Sequence, residues 1–380
     1  MFSEEFQQIK GTCRRFANEV LWPNSKSWES EGRIPRVVFR QMGALGLFGM
    51  SVPADRGGAG LDYVAYAAAM MEIAAGNAAA STIMGGQNSV GCMPILAYGS
   101  EAQIDHYLPG MISGEVMSAF ALTEPQSGSD ASNIKTSARR TAAGWVLNGS
   151  KQFITGGATS DIALIFALTD PEAGKRGISA FIVPTAASGY SVARVERKMG
   201  QHASDTCELH LENVEIPADA MLGQPGEGYR IALSNLEGGR IGIASQCVGI
   251  ARKALELAVS YSRERQAFGK PISNYQAVSF RLADMAASVA AAEQLVFHAA
   301  GLKSAGAKCL AEVSMAKLFA SEMAERVCSD AMQTLGGNGY MADYDVERLY
   351  RDVRVGKIYE GTNDIQRLVI ARELTGSLSS

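Results

Sequence analysis

The residues best placed to do chemistry are Ile358-Tyr359-Glu360-Gly361-Thr362, near the C-terminal end of a 380-residue chain. A carboxylate on an ordered turn at a helix entrance, flanked by Tyr and Gly, is positioned to act as a base. The segment behind it, Asp364 to Leu374, is short and amphipathic, with Ile365, Leu368 and Val369 on an apolar face. Asn363 with Gln366 three residues on reads as that helix's start signal. Taken alone, such a glutamate is more often a solvated acid near the positive end of a helix dipole. Other stretches must decide.

Four of them bear on it. Phe120-Ala121-Leu122-Thr123-Glu124-Pro125-Gln126-Ser127-Gly128-Ser129-Asp130 offers backbone N–H groups and hydroxyls suited to polar ring edges or a phosphate, though a plain polar loop has the same composition. Phe153-Ile154-Thr155-Gly156-Gly157 adds an aromatic face and a hydroxyl at a strand end, a pattern common in cores. Arg265 opens Arg-Gln-Ala-Phe-Gly-Lys-Pro at the end of a long helix, where a cation suits a pyrophosphate or simply the dipole. Gln333-Thr334-Leu335-Gly336-Gly337-Asn338-Gly339-Tyr340 reads as a glycine cap or as a close backbone approach to a cofactor. No G-x-G-x-x-G follows a strand and no P-loop occurs, which argues against a Rossmann or P-loop nucleotide site.

The elements that must hold these stretches follow from periodicity. Phe6, Ile9, Cys13, Phe16 and Val20 make one helical stripe; Pro35 opens a helix with Val38, Met42 and Leu45 inward, and Ile104, Tyr107, Leu108 and Met111 mark another. The uncharged run Ile73 to Ser100 is long enough for a bilayer, but its glycines, Pro94 and amides predict a buried helix–loop–helix lining a pocket. From residue 117 the pattern turns to strands. Trp145 to Leu147, Asn148-Gly149 and Phe153-Ile154 predict a hairpin; Ile162 to Leu168, Ile178 to Val183 and the alternation Cys207, Leu209, Leu211 predict further strands. After Gly228, stripes through Ile241 to Ala258, Val278 to Ala299 and Val313 to Val327 predict an antiparallel bundle. The fold class is therefore α+β multidomain: a helical N-terminal domain (1–116), an antiparallel β-domain (117–223) and a C-terminal antiparallel four-helix bundle (224–380).

Composition narrows the function. A net charge of −4 with mixed signs argues against nucleic acid or an anionic membrane surface. Six scattered cysteines without a C-x-x-C pair read as reduced buried thiols, and four histidines without ligand spacing predict no metal. The acids in Met1-Phe2-Ser3-Glu4-Glu5 stand where a signal or transit peptide is basic, so the expectation is a cytoplasmic protein with no membrane span.

Together, in this order, the motifs F-A-L-T-E-P-Q-S-G-S-D, F-I-T-G-G, E-R-Q-A-F-G-K, Q-T-L-G-G-N-G-Y and I-Y-E-G-T-N-D-I-Q-R-L resemble the acyl-CoA dehydrogenase family over essentially the whole chain. The resemblance implies FAD between the β-domain and the bundle of a homotetramer, a dimer of dimers. It puts Phe120, Leu122, Thr123 and Ser129 along the flavin and its phosphates, Phe153 and Thr155 against the ring, and Thr362 and Asp364 as local holds. Arg265, Phe268 and Gln276 would contact a neighbouring subunit's FAD, with Gln333, Gly336 and Gly337 completing a partner's nucleotide site. Glu360 falls on the base that takes the α-proton of an acyl-CoA, with its own backbone N–H and a ribityl hydroxyl polarising the thioester. Ser129, Tyr359 and Gly361 fall on the substrate side, and Glu237 and Arg240 near its CoA end. Electrons would leave to an electron-transfer flavoprotein.

One branch of the family, similar to isovaleryl-CoA dehydrogenase, carries its base on the first bundle helix. The equivalent position here is Gly239, and Glu237 lies two residues too early. Two departures from the family pattern are Phe153 where Trp is frequent and Pro-Gln-Ser-Gly-Ser in the flavin loop. The segment L-E-G-G-R-I-G-I-A-S-Q looks most like short-chain and short-branched-chain members. Alternatives on the same fold are an acyl-CoA oxidase or other flavin oxidase, a silent flavin-binding scaffold and a DNA-associated relative. Oxidases usually run longer, and the acidic balance disfavours DNA.

Overall fold

The structure, a computed structural model, describes residues 3–376. Seven helices form its first part: α1 (Glu4–Phe16), α2 (Trp22–Glu31), α3 (Arg36–Ala44), α4 (Tyr63–Gly76), α5 (Ala78–Gly86), α6 (Met93–Tyr98) and α7 (Glu101–Ser113). The uncharged run is a buried helical assembly, as its composition predicts. Asn77 ends α4 and caps α5 by accepting from the Ala80 N–H at 2.9 Å. A π-helical turn at Gln87–Cys92 then separates α5 from α6. Leu45 does not point inward; it is 41% exposed.

Eight strands follow: β1 (Ser118–Ala121), β2 (Ser137–Arg140), β3 (Gly144–Thr155), β4 (Ile162–Leu168), β5 (Ile178–Pro184), β6 (Tyr190–Val195), β7 (Thr206–Pro217) and β8 (Met221–Leu222). They form one sheet in the order β6-β7-β3-β2-β4-β5-β8, with β1 also on β4. Most pairings are antiparallel, while β1 and β2 run parallel to β4.

The hairpin expected at Asn148-Gly149 is not there. β3 runs straight through both residues, pairs with β7 on either side, and shifts register between Leu147 and Gly149. The Asn-Gly pair is a bulge rather than a turn because Thr136 crosses directly over it. A Cβ on Gly149 would lie 2.5 Å from Thr136 Oγ1.

The last part holds α8 (Gly228–Ser234), the long α9 (Leu236–Glu264), a two-strand ribbon β9 (Gln266–Ala267) and β10 (Lys270–Pro271), α10 (Gln276–Ser304), α11 (Leu310–Leu335), α12 (Val346–Val353) and α13 (Asn363–Thr375). α9, α10 and α11 pack along their predicted stripes, and α13 lies against α11. Among the described residues one helix, α10, is long and apolar enough to cross a bilayer; here it packs on α4, α9 and α11. All six cysteines are free and buried.

The start of α13 differs from its sequence reading. Thr362 is the cap, accepting from the Ile365 N–H at 3.4 Å. Its buried residues are Asn363 and Gln366, whereas Leu368 is 44% exposed. The polar pair is drawn inward by the turn it serves.

Candidate active site

A cavity of about 200 Å³ opens where the three parts meet. Its wall is built by Thr82, Ile83, Gly85 and Gly86 of α5 with Gln87, Ser89 and Val90 of the π-helical turn, Met117, Ser118 and Phe120 at β1, Phe153, Thr155 and Gly156 at the end of β3, and Gly239, Gly242 and Ile243 of α9. Tyr359 and Glu360 close the remaining side. A second cavity of about 260 Å³, lined by Met199 to Gln201, Arg354, Val355 and Ile358, shares Thr82, Thr155 and Tyr359 with the first.

Glu360 has φ +54, and Gly361 follows at φ +87, which favours glycine. Two buried side chains hold this turn. Lys317 of α11 donates to the Gly361 carbonyl at 2.9 Å and to Asn363 Oδ1 at 3.0 Å. Gln366 Nε2 donates to the Glu360 carbonyl at 3.3 Å and the Gly361 carbonyl at 2.9 Å. The turn therefore aims Glu360 back into the cleft, where its residue is half-buried and its Oε2 is out of water with no hydrogen-bond partner. Burial raises the carboxyl above its ordinary range, opposed by the charges of Arg240 and Lys317. A carboxylate whose Oε2 is out of water and unpaired, with raised proton affinity, is equipped to take a proton from carbon.

Tyr359 is tied down beside it. Its hydroxyl donates to Gln246 Oε1, and Gln246 Nε2 donates to the Ala78 carbonyl at 3.0 Å and Thr82 Oγ1 at 2.8 Å. Thr82 donates to Gln201 Oε1 at 2.6 Å, and the Gln201 N–H donates to buried Asp352. This chain links α5, α9, the β-domain and α12 around one side of the cleft.

On the β side, a second bulge between Lys151 and Ile154 gives Phe153 φ +58 and leaves its ring 61% exposed at the cavity. Bulges next to sites re-aim side chains in this way. The loop that carries Leu122 and Thr123 is anchored underneath by Lys151, which is fully buried and donates to Glu124 Oε1 at 2.8 Å and the Leu122 carbonyl at 3.2 Å. Glu124 also accepts from the N–H groups of Lys135 and Thr136.

The structure brings Phe120, Phe153, Thr155, Tyr359 and Glu360 to one cavity. Leu122 and Thr123 are half-buried in the adjoining loop, and Ser129 is exposed on it. Thr362 caps α13, and Asp364 lies exposed beside Arg367. Arg240 is buried, with a 3.4 Å bond to Ser314, and Glu237 is engaged by Lys303 at 2.6 Å; neither lines the cavity. Arg265, Phe268, Gln276, Gln333, Gly336 and Gly337 are exposed and away from it, Phe268 at 98%. The sequence assigns no role to Lys317, Lys151 or Glu124, and it marks Gln366 only as part of a helix start signal. A signal existed for the lysines: Lys317 falls four residues after Val313 on the apolar stripe, and Lys151 shares the inward alternation of Leu147.

The helical–β–helical fold, with Glu360 and the exposed Phe153 ring on one cavity, matches a single class of flavin-dependent oxidoreductases over all three of its parts. Residues 3–115, 119–214 and 226–375 match the N-terminal, middle and C-terminal domains of acyl-CoA dehydrogenase, and the chain belongs to that family. It is 47% identical to an acyl-CoA dehydrogenase of Bacillus subtilis over 98% of this chain and 99% of the relative. It is 45% identical to the human mitochondrial short-chain specific acyl-CoA dehydrogenase over 99% of this chain and 92% of the relative. Among solved structures, butyryl-CoA dehydrogenase from Megasphaera elsdenii superposes with TM-score 0.95 at 38% identity, covering 98% of this chain and 99% of that one. The enzymes of this family depend on FAD, and the residues here fit it. The bulge presents the Phe153 ring to the cleft, Thr155 lines both cavities, and Glu360 Oε2 faces the same space unpaired.

Proposed function

We propose that this chain converts an acyl-CoA thioester to its trans-2-enoyl-CoA, with Glu360 removing the α-proton. The observation that carries the proposal is the buried, unpartnered Glu360 Oε2 on a turn held by Lys317 and Gln366. Bound FAD supplies the acceptor for the β-hydride. Phe120, Phe153 and Thr155 hold that ring from the β side, while Leu122, Thr123 and Ser129 line its polar edge and phosphates. Thr362 and Asp364 hold it from the α13 side. The α-proton of a thioester is a weak acid, so charge developing on its oxygen must meet a donor. The Glu360 backbone N–H, which has no acceptor among the described residues, serves that purpose. Tyr359 and Gly361 shape the substrate side of the turn, and Arg240 and Glu237 act from behind it toward the CoA end.

The exposed residues Arg265, Phe268, Gln276, Gln333, Gly336 and Gly337 belong in this proposal to a homotetramer, in which each subunit completes a neighbour's FAD site. An electron-transfer flavoprotein is the acceptor of the electrons. The domain divisions at 117 and 224 and a cytoplasmic location are part of the same reading.

The test is anaerobic bleaching of the bound flavin by straight, branched and aryl acyl-CoAs. A suitable thioester bleaches it, and Glu360→Gln keeps FAD while losing bleaching by about a thousandfold or more. Bleaching by no thioester overturns the dehydrogenase reading, and near-normal reduction in Glu360→Gln overturns the base.

A further inference from the structure

Glu360 and the groups that share its cavity from the β side belong to different parts of the chain. Glu360 stands between α12 and α13, whereas Phe153 and Thr155 end β3. Their spacing is therefore fixed by contacts between those parts, not by either part alone. One loop of the β side makes such a contact. It runs from Met199 to Ser204 and leads into β7, whose Thr206 pairs with Thr155. Its backbone is pressed onto the end of α12. Arg351 donates to the Met199 carbonyl at 3.3 Å, and a Cβ on Gly200 would lie 2.5 Å from the Arg351 carbonyl oxygen.

Gln201 fastens this loop. It is 6% exposed, with φ +51, a region that residues bearing a Cβ seldom enter. Its N–H donates to Asp352 Oδ1, and its Nε2 donates to the Asp352 carbonyl at 3.1 Å. Its Oε1 accepts from Thr82 at 2.6 Å, Thr82 Oγ1 accepts from Gln246 at 2.8 Å, and Gln246 accepts from the Tyr359 hydroxyl. Tyr359 Oη lies 3.5 Å from Gln201 Nε2, so the four side chains close a ring whose last member adjoins Glu360. Among the described residues from β1 to β8, Gln201 is the one whose side chain hydrogen-bonds to a bundle helix. It lines the second cavity and not the first.

We propose that Gln201 is a positioning residue, which sets the spacing between the β side and the turn that carries Glu360. The proposal rests on the dehydrogenase reading, in which the α-proton goes to Glu360 and the β-hydride to FAD. The two leave adjacent carbons, so a thioester seated for one transfer is seated for the other only at one spacing. Lys317 and Gln366 aim the carboxylate from within the bundle; Gln201 places it against the opposite wall.

The test separates the two transfers in the holoenzyme. Gln201→Met removes the polar end at nearly constant volume, and Gln201→Gly keeps the N–H bond to Asp352 in a backbone that glycine favours. Butanoyl-CoA reports both transfers through anaerobic flavin reduction. (Methylthio)acetyl-CoA has sulfur in place of the β-carbon and no β-hydride to give. Exchange of its α-hydrogen in D2O, read by mass spectrometry, reports the base alone. In both variants kcat for reduction should fall about a hundredfold with KM within about threefold, while α-exchange stays within about threefold of native. Amide hydrogen exchange should quicken across Met199 to Ser204 and stay native across Gly361 to Gln366, with flavin content unchanged. Native reduction in both variants overturns the proposal. So does an equal fall in reduction and α-exchange, which is the mark of a damaged base, and so does loss of flavin from both, which is the mark of a cofactor hold. If the native enzyme neither reduces flavin nor exchanges the α-hydrogen, the Glu360 reading falls and this proposal with it.

Discussion

The Glu360 carboxylate rests against the backbone of Gly239, so that a Cβ there would lie 2.7 Å from Oε2. The two positions that the resemblance offers for a base therefore face each other across one gap, and only Glu360 carries a carboxylate. Gly239→Ala fills that gap and must push Oε2 aside. A displacement of about 1 Å at a reacting group costs about a hundredfold. The variant should keep its FAD and reduce it about a hundredfold more slowly with the best thioester in rapid mixing. Reduction at the native rate would show that Glu360 does not work from this position.

The pH dependence follows from the same burial. As the proposed base Glu360 must be the carboxylate, and its proton affinity is raised by burial against the pull of Arg240 and Lys317. Flavin reduction should rise with pH through an inflection above the ordinary carboxylate range and then level off. Folding linkage has a defined sign as well. The folded state holds this proton more tightly than the unfolded chain, so the contribution of Glu360 to stability falls as pH rises through its folded value. Urea unfolding across that range should show the fall in the native protein and not in Glu360→Gln.

Lys317 anchors the turn, and burial lowers its ammonium to about 8. Lys317→Met removes one of two donors from the Gly361 carbonyl and from Asn363 Oδ1, which keep Gln366 and Ser321, a loss of about 1–3 kcal/mol in urea unfolding. Because the folded value lies below the unfolded one, native stability contributed by this group rises from about pH 8 upward. The variant should lose that rise. Its flavin reduction should also fall, since the positive φ at Glu360 is no longer enforced from below.

The sequence made Glu360 legible because its neighbours on both sides carry meaning, and the three-part layout because stripes of period 3.6 and 2 differ plainly. What it hid were positions decided by contact between distant segments. Asn148-Gly149 has the composition of a turn and became a bulge under Thr136. Thr362 took the cap expected of Asn363 because Lys317, more than forty residues earlier in the chain, binds the Asn363 side chain. Phe153 was read as a ring-facing residue without sign of the bulge that turns it outward. Local propensity cannot weigh such partners.

A buried ion pair lies under the loop that carries Leu122 and Thr123. Lys151 is fully buried and Glu124 nearly so, and their 2.8 Å contact ties the start of the loop to the middle of β3. Burial lowers the lysine to about 8, while Lys151, with the Lys135 and Thr136 N–H groups, holds Glu124 below its ordinary range against its own burial. Lys151→Met removes one charge and strands the other, which costs about 3–5 kcal/mol. Glu124→Gln combined with Lys151→Met strands none and should recover much of that loss. In a double-mutant cycle by urea unfolding, the pair should therefore be less destabilised than the sum of the singles. Flavin content should follow the same order, lowest in Lys151→Met, because Leu122 and Thr123 lose their support from below. Additive single losses with full flavin content in Lys151→Met would show that the loop is held by its backbone alone.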